Sequence, residues 1–316
     1  MRKMSRRNNI FQAVRSKILF CTLCISHLVF STAVSQTKLV VLGSGNPNPD
    51  PEHSGPAIAV IVDSQAYLVD FGSGIVRQAA ALSPTYNGTL EALSAKRLNI
   101  AFLTHLHSDH SIGLPDLIFT PWIMGRNVPL QLWGPEGIDH MARHILEAYQ
   151  EDIRYRLYGI QPANNQGWKV ESHEIHHEGL VYKDELVEVV AFNVSHGTWP
   201  QCFGYRFTTK DKVIVISGDT KPSDNLIKYA KDADILVHEV YSHEGWSTKT
   251  DFWQKYHQAN HTSTFELAEI AESIRPGLIV LYHTLYWGSN DEDILNEISQ
   301  KYKGKVVVGH DGQIFE

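Results

Sequence analysis

One segment, residues 104–110, constrains this chain more than any other part of its sequence. It reads Thr-His-Leu-His-Ser-Asp-His and so places three imidazoles and one carboxylate within six positions. The apolar run 98–103 directly before it predicts a buried strand. Because side chains alternate along an extended chain, we expect His105 and His107 to project to one side. A catalytic cation keeps three protein ligands and a water, so this many donors favours two adjacent metal ions.

The composition of the first 35 residues predicts a secretory signal that is not part of the folded domain. Residues 1–17 carry six basic side chains and no acidic one, residues 18–30 are mostly apolar, and small residues stand at 33–35. This order is typical of exported proteins; an uncleaved anchor or a misassigned start codon is the alternative. Loss of six positive charges would take the net charge from −7 to −13. We therefore expect a periplasmic or secreted protein without a nucleic-acid partner, since that binding relies on Lys and Arg.

Residues 36–316 predict a single α/β domain, because no linker, repeat or low-complexity tract divides them. Strand patterns come first in a hairpin, 57–62 with 66–71, and later strands alternate with helical periodicity. The stretch 150–180 reads as polar and irregular. Two mixed β-sheets packed face to face, with helices outside, satisfy this order, although periodicity alone also allows other α/β arrangements.

Polar side chains recur where the predicted strands end. Outside the first motif they are Asp70, His196, Asp219, His238, Glu239 and His283. Each one, taken singly, is more often a capping or hydrogen-bonding residue than a ligand. Loops at one end of a sheet are where binding and catalytic sites are built, so the repeated placement favours a shared site.

The motif at 104–110, followed by His196, Asp219 and a last His283, resembles the metallo-β-lactamase superfamily, and the match spans residues 39–310. This resemblance implies the αββα sandwich of that superfamily as one catalytic domain over residues 36–316, and hydrolysis as the reaction. Three further segments are similar to its ribonuclease Z and arylsulfatase-like branch: Ser-Gly-Asp-Thr at 217–220, Val-His-Glu-Val at 237–240 and Asn-His-Thr-Ser at 260–263.

The resemblance also implies the metal ligands. One ion would be bound by His105, His107 and His196, the other by Asp109, His110 and His283, and Asp219 would bridge them. These nitrogen and oxygen donors suit two Zn²⁺, with Mn²⁺ or Fe²⁺ as alternatives. Asp70 matches an aspartate that orients a ligand histidine. A β-lactamase with a bridging thiolate is not expected, because that position is an aspartate.

Two adjacent cations lower the pKa of a water that both contact, and the resulting hydroxide would attack phosphorus, sulfur or an acyl carbon, with Asp109 among the catalytic residues. By resemblance, His261 would donate a proton to the leaving oxygen. Glu239 or His238 would hold its imidazole in the required tautomer.

Differences from the tRNA-processing members indicate a small substrate. Ribonuclease Z proteins commonly carry a basic, Gly-rich arm between the positions of His196 and Asp219. Here only 23 positions separate these residues, and the sequence between them reads as a plain hairpin. We therefore expect an exported hydrolase of a small anionic ester, an aryl sulfate or a phosphodiester. A ribonuclease Z-type tRNA 3′-end endonuclease, a lactonase and a non-catalytic metal-binding protein are the alternatives. No stable membrane span is expected after signal cleavage, and homodimerisation stays open.

Overall fold

The computed structural model describes residues 36–160 and 163–316, and the predicted secretory signal lies outside them. The described residues form two seven-stranded sheets. The first contains β1 (Thr37–Gly43), β2 (Ala57–Val62), β3 (Gln65–Val69), β4 (Ile100–Phe102), β5 (Leu130–Pro135) and β6 (Val170–Ile175) in that spatial order. The second contains β7 (Gly179–Lys183), β8 (Glu188–Asn193), β9 (Phe203–Thr208), β10 (Val213–Ile216), β11 (Ile235–Tyr241), β12 (Leu278–Leu285) and β13 (Val306–Val308). A final strand, β14 (Ile314–Phe315), pairs with β1.

The helices of the described residues are α1 (Ile75–Leu82), α2 (Ser108–Ser111), α3 (Leu114–Ile123), α4 (Ile138–Ala148), α5 (Gln150–Tyr158), α6 (Asp224–Ala230), α7 (His243–Ser247), α8 (Asp251–Asn260), α9 (Thr264–Ile274) and α10 (Asp291–Ser299). None of them combines the length and apolarity that a membrane crossing requires.

Both sheets are mixed, and the central strands of each sheet are buried on both faces. In β2, Ile58 and Val60 pack in the core between the sheets, whereas Ala59 and Ile61 pack with α1 and α3. This alternation follows from the two-residue period of a strand. The second sheet packs its outer face on α6, α9 and α10. The predicted αββα sandwich is therefore confirmed.

The hairpin predicted before Asp219 is also present. Strands β9 and β10 pair antiparallel with Thr208 opposite Val213, and residues 209–212 close the turn. The backbone N–H of Thr209 donates to the carbonyl of Lys212 at 2.9 Å. The described chain thus has no inserted arm at this position.

Three expectations about elements were wrong. Strand β4 ends at Phe102, so His105 and His107 lie in the loop after the strand, although both rings face one point as expected. Strands β11 and β12 run further than predicted, so that His238, Glu239 and His283 lie within strands. Residues 150–180 contain α5 and β6. Both elements are solvated on most positions, so neither shows the apolar periodicity that would reveal it.

Candidate metal centre

Loops and strand ends from both sheets bring the predicted ligands together. In the first cluster, His105 Nε2 lies 2.9 Å from His107 Nδ1, and His107 Nδ1 lies 3.2 Å from His196 Nε2. The Oδ2 atom of Asp219 is 4.0 Å from His196 Nε2. These four residues each offer one ligand atom within 4.8 Å of the others.

The second cluster shares Asp219 with the first. The Oδ2 atom of Asp109 lies 3.2 Å from His283 Nε2 and 3.4 Å from His110 Nε2. The Oδ2 atom of Asp219 lies 3.4 Å from His110 Nε2 and 3.6 Å from His283 Nε2. One carboxylate therefore faces both sets of donors, which is the placement that a bridging ligand requires.

Asp70 fixes two of the imidazoles. His110 Nδ1 donates to Asp70 Oδ2 at 2.8 Å. The hydroxyl of Thr104 donates to the same oxygen at 3.0 Å, which leaves Thr104 Oγ1 free to accept from His105 Nδ1 at 3.0 Å. Because their Nδ1 atoms donate these hydrogen bonds, His110 and His105 present their Nε2 atoms to the centre, where metal ligation requires them. Asp70 adopts φ 58°, a left-handed conformation that Asp tolerates better than most residues.

A backbone contact orients the third imidazole of the first cluster. His196 Nδ1 donates to the carbonyl of Asn260 at 2.7 Å, so its Nε2 also faces the centre without a proton. The next residue, Gly197, has φ 56°, and a Cβ there would lie 2.2 Å from Asn260 Oδ1. Only glycine allows the chain to turn this closely past Asn260.

A β-bulge presents His283. In the parallel pairing of β11 with β12, Glu239 pairs with Tyr282, and the next residue of β11 pairs with Thr284. His283 is therefore an extra residue of β12 between these two pairs. Its φ is 49° and its N–H donates to the carbonyl of Ser44 at 2.9 Å. Bulges re-aim side chains beside functional sites, and a strained φ in a non-glycine residue is held only by such surrounding contacts.

The donors of both clusters fit divalent metal ions. Tetrahedral Zn²⁺ with bonds of about 2.0–2.1 Å separates its ligand atoms by about 3.3 Å, which lies within the 2.9–4.0 Å found between neighbouring donors here. Two fully buried donors, His110 Nε2 and Asp219 Oδ1, have no hydrogen-bond partner. Buried polar atoms are normally paired, so a cation between these donors would satisfy them.

Electrostatics in the centre favour bound cations. Burial lowers the pKa of His105 well below its usual range and that of His107 to about 4, so both rings are neutral near pH 7. Burial alone would raise the pKa of Asp219, but the nearby His283 and His110 hold it well below its usual range. The first cluster therefore offers two neutral imidazoles beside a carboxylate that stays ionised. Burial alone would lower the pKa of His110 and His283, but Asp219 raises both, so a cation bound by these rings would displace a proton from each.

His261 lies beside the two clusters. It is buried, with Nδ1 3.5 Å from Glu239 Oε2 and 4.0 Å from Asp219 Oδ2. Burial lowers the pKa of His261 to about 4. The other oxygen of Glu239, Oε1, accepts from the backbone N–H groups of Thr262 at 3.0 Å and Thr220 at 3.3 Å. These contacts hold the Glu239 carboxyl next to the His261 imidazole.

The structure separates the two residues that the sequence offered as partners of His261. Side chains alternate along β11, so His238 shares the face of Leu236, which packs against the helices, whereas Glu239 shares the face of Val237. His238 Nδ1 faces the carbonyl of Glu239. His238 is thus buried away from His261, and its predicted place in the proton relay is corrected in favour of Glu239.

The ligands open into a small cavity. Its volume is about 110 Å³, and besides ligands and His261 it is lined by Pro47, Tyr256, His257 and Leu285. The sequence reasoning missed Tyr256 and His257, which precede the Asn-His-Thr-Ser segment by one turn of helix. Trp199, three residues after His196, also lies at the site, where its indole N–H contacts His107 Nε2 at 2.6 Å.

Comparisons with known proteins show which family this chain belongs to. A family model described as a beta-lactamase superfamily domain matches residues 65–284. Ribonuclease Z of Mycobacterium sp. (strain KMS) is 33% identical over 250 residues, which cover 78% of this chain and 84% of that protein. Ribonuclease Z of Mycobacterium bovis (strain BCG / Pasteur 1173P2) is 29% identical over 279 residues, which cover 87% and 96%.

Solved structures show the same fold. The metallo-beta-lactamase fold protein YhfI from Bacillus subtilis superposes with a TM-score of 0.65 at 17% identity, covering 88% of this chain and 98% of that one. The short form of human tRNase Z superposes with a TM-score of 0.64 at 22% identity and the same coverage.

Proposed function

Because this chain belongs to the beta-lactamase superfamily, where its homologues include proteins named ribonuclease Z, we propose that it is a metal-dependent hydrolase of a phosphodiester bond in a small anionic substrate. The observation that carries the proposal is the pair of donor clusters that share Asp219 and open, with His261, into one cavity. Phosphodiester chemistry is favoured over sulfate ester chemistry because the relatives are named ribonucleases, and RNA is linked by phosphodiesters.

Different side chains have different roles in the proposed reaction. Two divalent cations held by the two clusters would lower the pKa of a water and offset negative charge on the phosphoryl oxygens. Asp70 and Thr104 keep His105 and His110 in the tautomer that leaves Nε2 unprotonated. His261 would give a proton to the leaving oxygen after taking one up, since its pKa of about 4 leaves the ring neutral near pH 7. Glu239 holds that imidazole in place from 3.5 Å.

A small substrate is favoured by three features. The cavity at the ligands is about 110 Å³. The β9–β10 turn is short and carries no arm that would reach along an RNA. Without residues 1–35 the formal net charge is −13, since the −7 of the full sequence includes six basic residues there. An acidic surface opposes association with a polyanion.

We also propose that the protein is exported. The support is the order of basic, apolar and small residues in the first 35 positions. Amino-terminal sequencing of the protein recovered from the periplasm or the medium tests this. A mature end near residue 36 is expected, and recovery of the intact chain from the cytoplasm alone would contradict it.

A second candidate is the tRNA 3′-end endonuclease activity of a ribonuclease Z. It is favoured by the relatives of that name, because the aligned regions cover 84–96% of their length. The two proposals differ in the substrate size that the same site accepts.

A substrate panel tests the proposal on mature protein loaded with Zn²⁺. It contains bis-p-nitrophenyl phosphate, p-nitrophenyl sulfate, an acyl lactone and a precursor tRNA, each compared with an Asp219→Ala variant. We expect hydrolysis of the phosphodiester to dominate and to disappear in the variant. Cleavage of the precursor tRNA would support the second candidate, and a dominant rate on the sulfate or the lactone would reassign the substrate class. No reaction with any compound would contradict the enzyme assignment.

A further inference from the structure

A connected series of four aromatic side chains reaches the cavity of the metal centre: Trp253, Tyr256 and His257 of α8, and Trp287 after β12. We call these four residues the aromatic wall. The Trp253 ring centroid lies 5.5 Å from that of Tyr256 and 5.8 Å from that of His257. The His257 and Trp287 centroids are 4.2 Å apart.

The aromatic wall does not serve the core. Within α8, only Asn260 is buried. Trp253 is 48% exposed and Tyr256 is 40% exposed, on the same helical face one turn apart. Large aromatic side chains gain free energy when their rings leave water. Clustered exposed rings therefore indicate a surface that another group covers.

The position of the aromatic wall indicates what covers it. Tyr256 and His257 line the cavity that contains the metal-ligand atoms. Trp287 lines a second cavity, of about 150 Å³, together with Asn46 and His53. Because His257 and Trp287 are in contact, the aromatic wall connects a residue that lines the first cavity with one that lines the second. A molecule whose ester is held at the ligands would place its adjoining group against these rings.

We propose that the aromatic wall is the subsite for a flat aromatic ring that the substrate carries next to its ester phosphate. This rests on the proposed function and specifies its substrate class, aryl or nucleoside esters in preference to alkyl esters. Stacked and edge-to-face rings attract each other beyond their burial. The ammonium of Lys249 lies 5.0 Å from the Trp287 ring centroid and adds positive charge beside an anionic substrate.

Calorimetric titration of the mature, Zn²⁺-loaded protein with two pairs of ligands tests this proposal. Phenylphosphonate against methylphosphonate measures the contribution of a phenyl ring, and uridine 5′-monophosphate against ribose 5-phosphate measures that of a nucleobase. We expect the aromatic member of at least one pair to bind roughly 5- to 10-fold more tightly. The pair that shows the preference identifies the source of the ring. Equal affinities within both pairs, or no binding of any of the four compounds, would overturn the proposal.

Two variants test whether the aromatic wall causes the preference for aromatic ligands. In Trp253→Leu/Tyr256→Leu the ratio of affinities should fall toward one, while in Tyr86→Leu it should match the wild type. Tyr86 is 67% exposed and lines a different cavity, between α1 and α3, so it controls for the loss of a surface aromatic ring. An unchanged ratio in a folded, metal-loaded double variant would overturn the assignment. If the double variant fails to fold, the single Trp253→Leu variant replaces it.

Turnover separates this inference from the proposed function. An aromatic preference in binding, combined with no hydrolysis of bis-p-nitrophenyl phosphate, would leave the aromatic wall in place and remove the catalytic proposal. Hydrolysis of that ester without any aromatic preference in binding would support the catalytic proposal and remove the aromatic wall as a subsite. If both hold, the double variant should raise KM for bis-p-nitrophenyl phosphate with little change in kcat, because uniform binding is lost.

Discussion

The Oδ2 atom of Asp70 accepts a hydrogen bond from His110 Nδ1 at 2.8 Å, between side chains 40 positions apart in the sequence. Both groups are buried, and the imidazole is left with its Nε2 facing Asp109 and Asp219. The buried carboxylate therefore determines which nitrogen of the His110 ring can bind a cation.

Asp70→Asn should weaken metal binding without removing a ligand. The amide carries no charge and supports the required tautomer of His110 less well, so we expect zinc affinity to fall about 10- to 100-fold. Competition with a chromogenic chelator measures this. As a control, Asp63→Asn alters an exposed aspartate in the β2–β3 turn and should leave the affinity unchanged. An affinity equal to the wild type in Asp70→Asn would contradict the role given to this residue.

Asp219→Ala should remove metal and activity together, because its carboxylate faces both donor clusters. Metal content per folded chain and the rate on bis-p-nitrophenyl phosphate are the measurements. Asp224→Ala, at the exposed start of α6, is the matched control and should retain both. Retention of both metal ions by Asp219→Ala would rule out the bridging assignment.

His261→Ala should affect esters according to their leaving group. A poor leaving group, such as an alkoxide, needs a proton, so kcat should fall about 10²-fold or more. The p-nitrophenolate ion leaves without one, so the loss there should be much smaller. Glu239→Gln should show the same pattern more weakly, because its carboxyl contacts the imidazole. Equal losses on both kinds of ester would indicate that His261 binds substrate without transferring a proton.

His238 provides the contrast to Glu239 on the same strand. It is fully buried on the helix-facing side of β11, so His238→Gln should lower stability while kcat of the folded protein stays near the wild-type value. Urea unfolding and steady-state kinetics on the same preparation separate the two effects. A selective loss of kcat with unchanged stability would restore His238 to the relay.

Arg126→Met should destabilise the fold without touching the site. The guanidinium is buried and donates to the carbonyls of Leu98, Leu117, Ile118 and Gly167 at 2.7–2.9 Å. Its removal leaves these acceptors without their donor, and we expect a loss of about 3 kcal/mol or more in the free energy of unfolding. Urea unfolding measures it. A loss below about 0.5 kcal/mol, typical of surface changes, would contradict this view.

The contribution of Asp184 to stability should depend on pH. Partial burial alone would raise the pKa of this carboxyl, but hydrogen bonds from Tyr67 at 2.6 Å and Tyr182 at 2.8 Å, with two backbone N–H groups, lower it. A pKa that is lower in the folded state stabilises the fold above the pKa of the unfolded chain, and this is lost as pH falls through the folded value.

Asp184→Asn should therefore cost more stability at pH 7 than near pH 3. Urea unfolding of both proteins at the two pH values gives the difference. A penalty that is the same at both would show that the carboxyl has no lowered pKa in the folded protein.

Local patterns in the sequence predicted the strands and the donors of residues 104–110, whereas the αββα sandwich and the ligand roles of His196, Asp219 and His283 were predicted from the family resemblance. Residues 104–110 concentrate four donors in one turn, and the apolar strands around them are short and well marked. The structure then brought His105, Asp219 and His283 to one place through a loop, a strand end and a bulge.

Other features could not be read from the sequence. The bulge that presents His283 arises from the pairing of β11 with β12, and no residue pattern marks it. The choice between His238 and Glu239 depends on which face of β11 points to the centre. The aromatic wall depends on the packing of α8 beside the cavity, where Tyr256 and His257 line it while Trp253 and Tyr256 stay partly exposed.

The most direct measurement is the metal content of the mature, folded wild-type protein after equilibration with Zn²⁺ and removal of the free ion. The two donor clusters predict two metal ions per chain, falling to one or none in Asp219→Ala. A folded wild-type protein that retains no metal would contradict the claim that the two donor clusters bind metal ions.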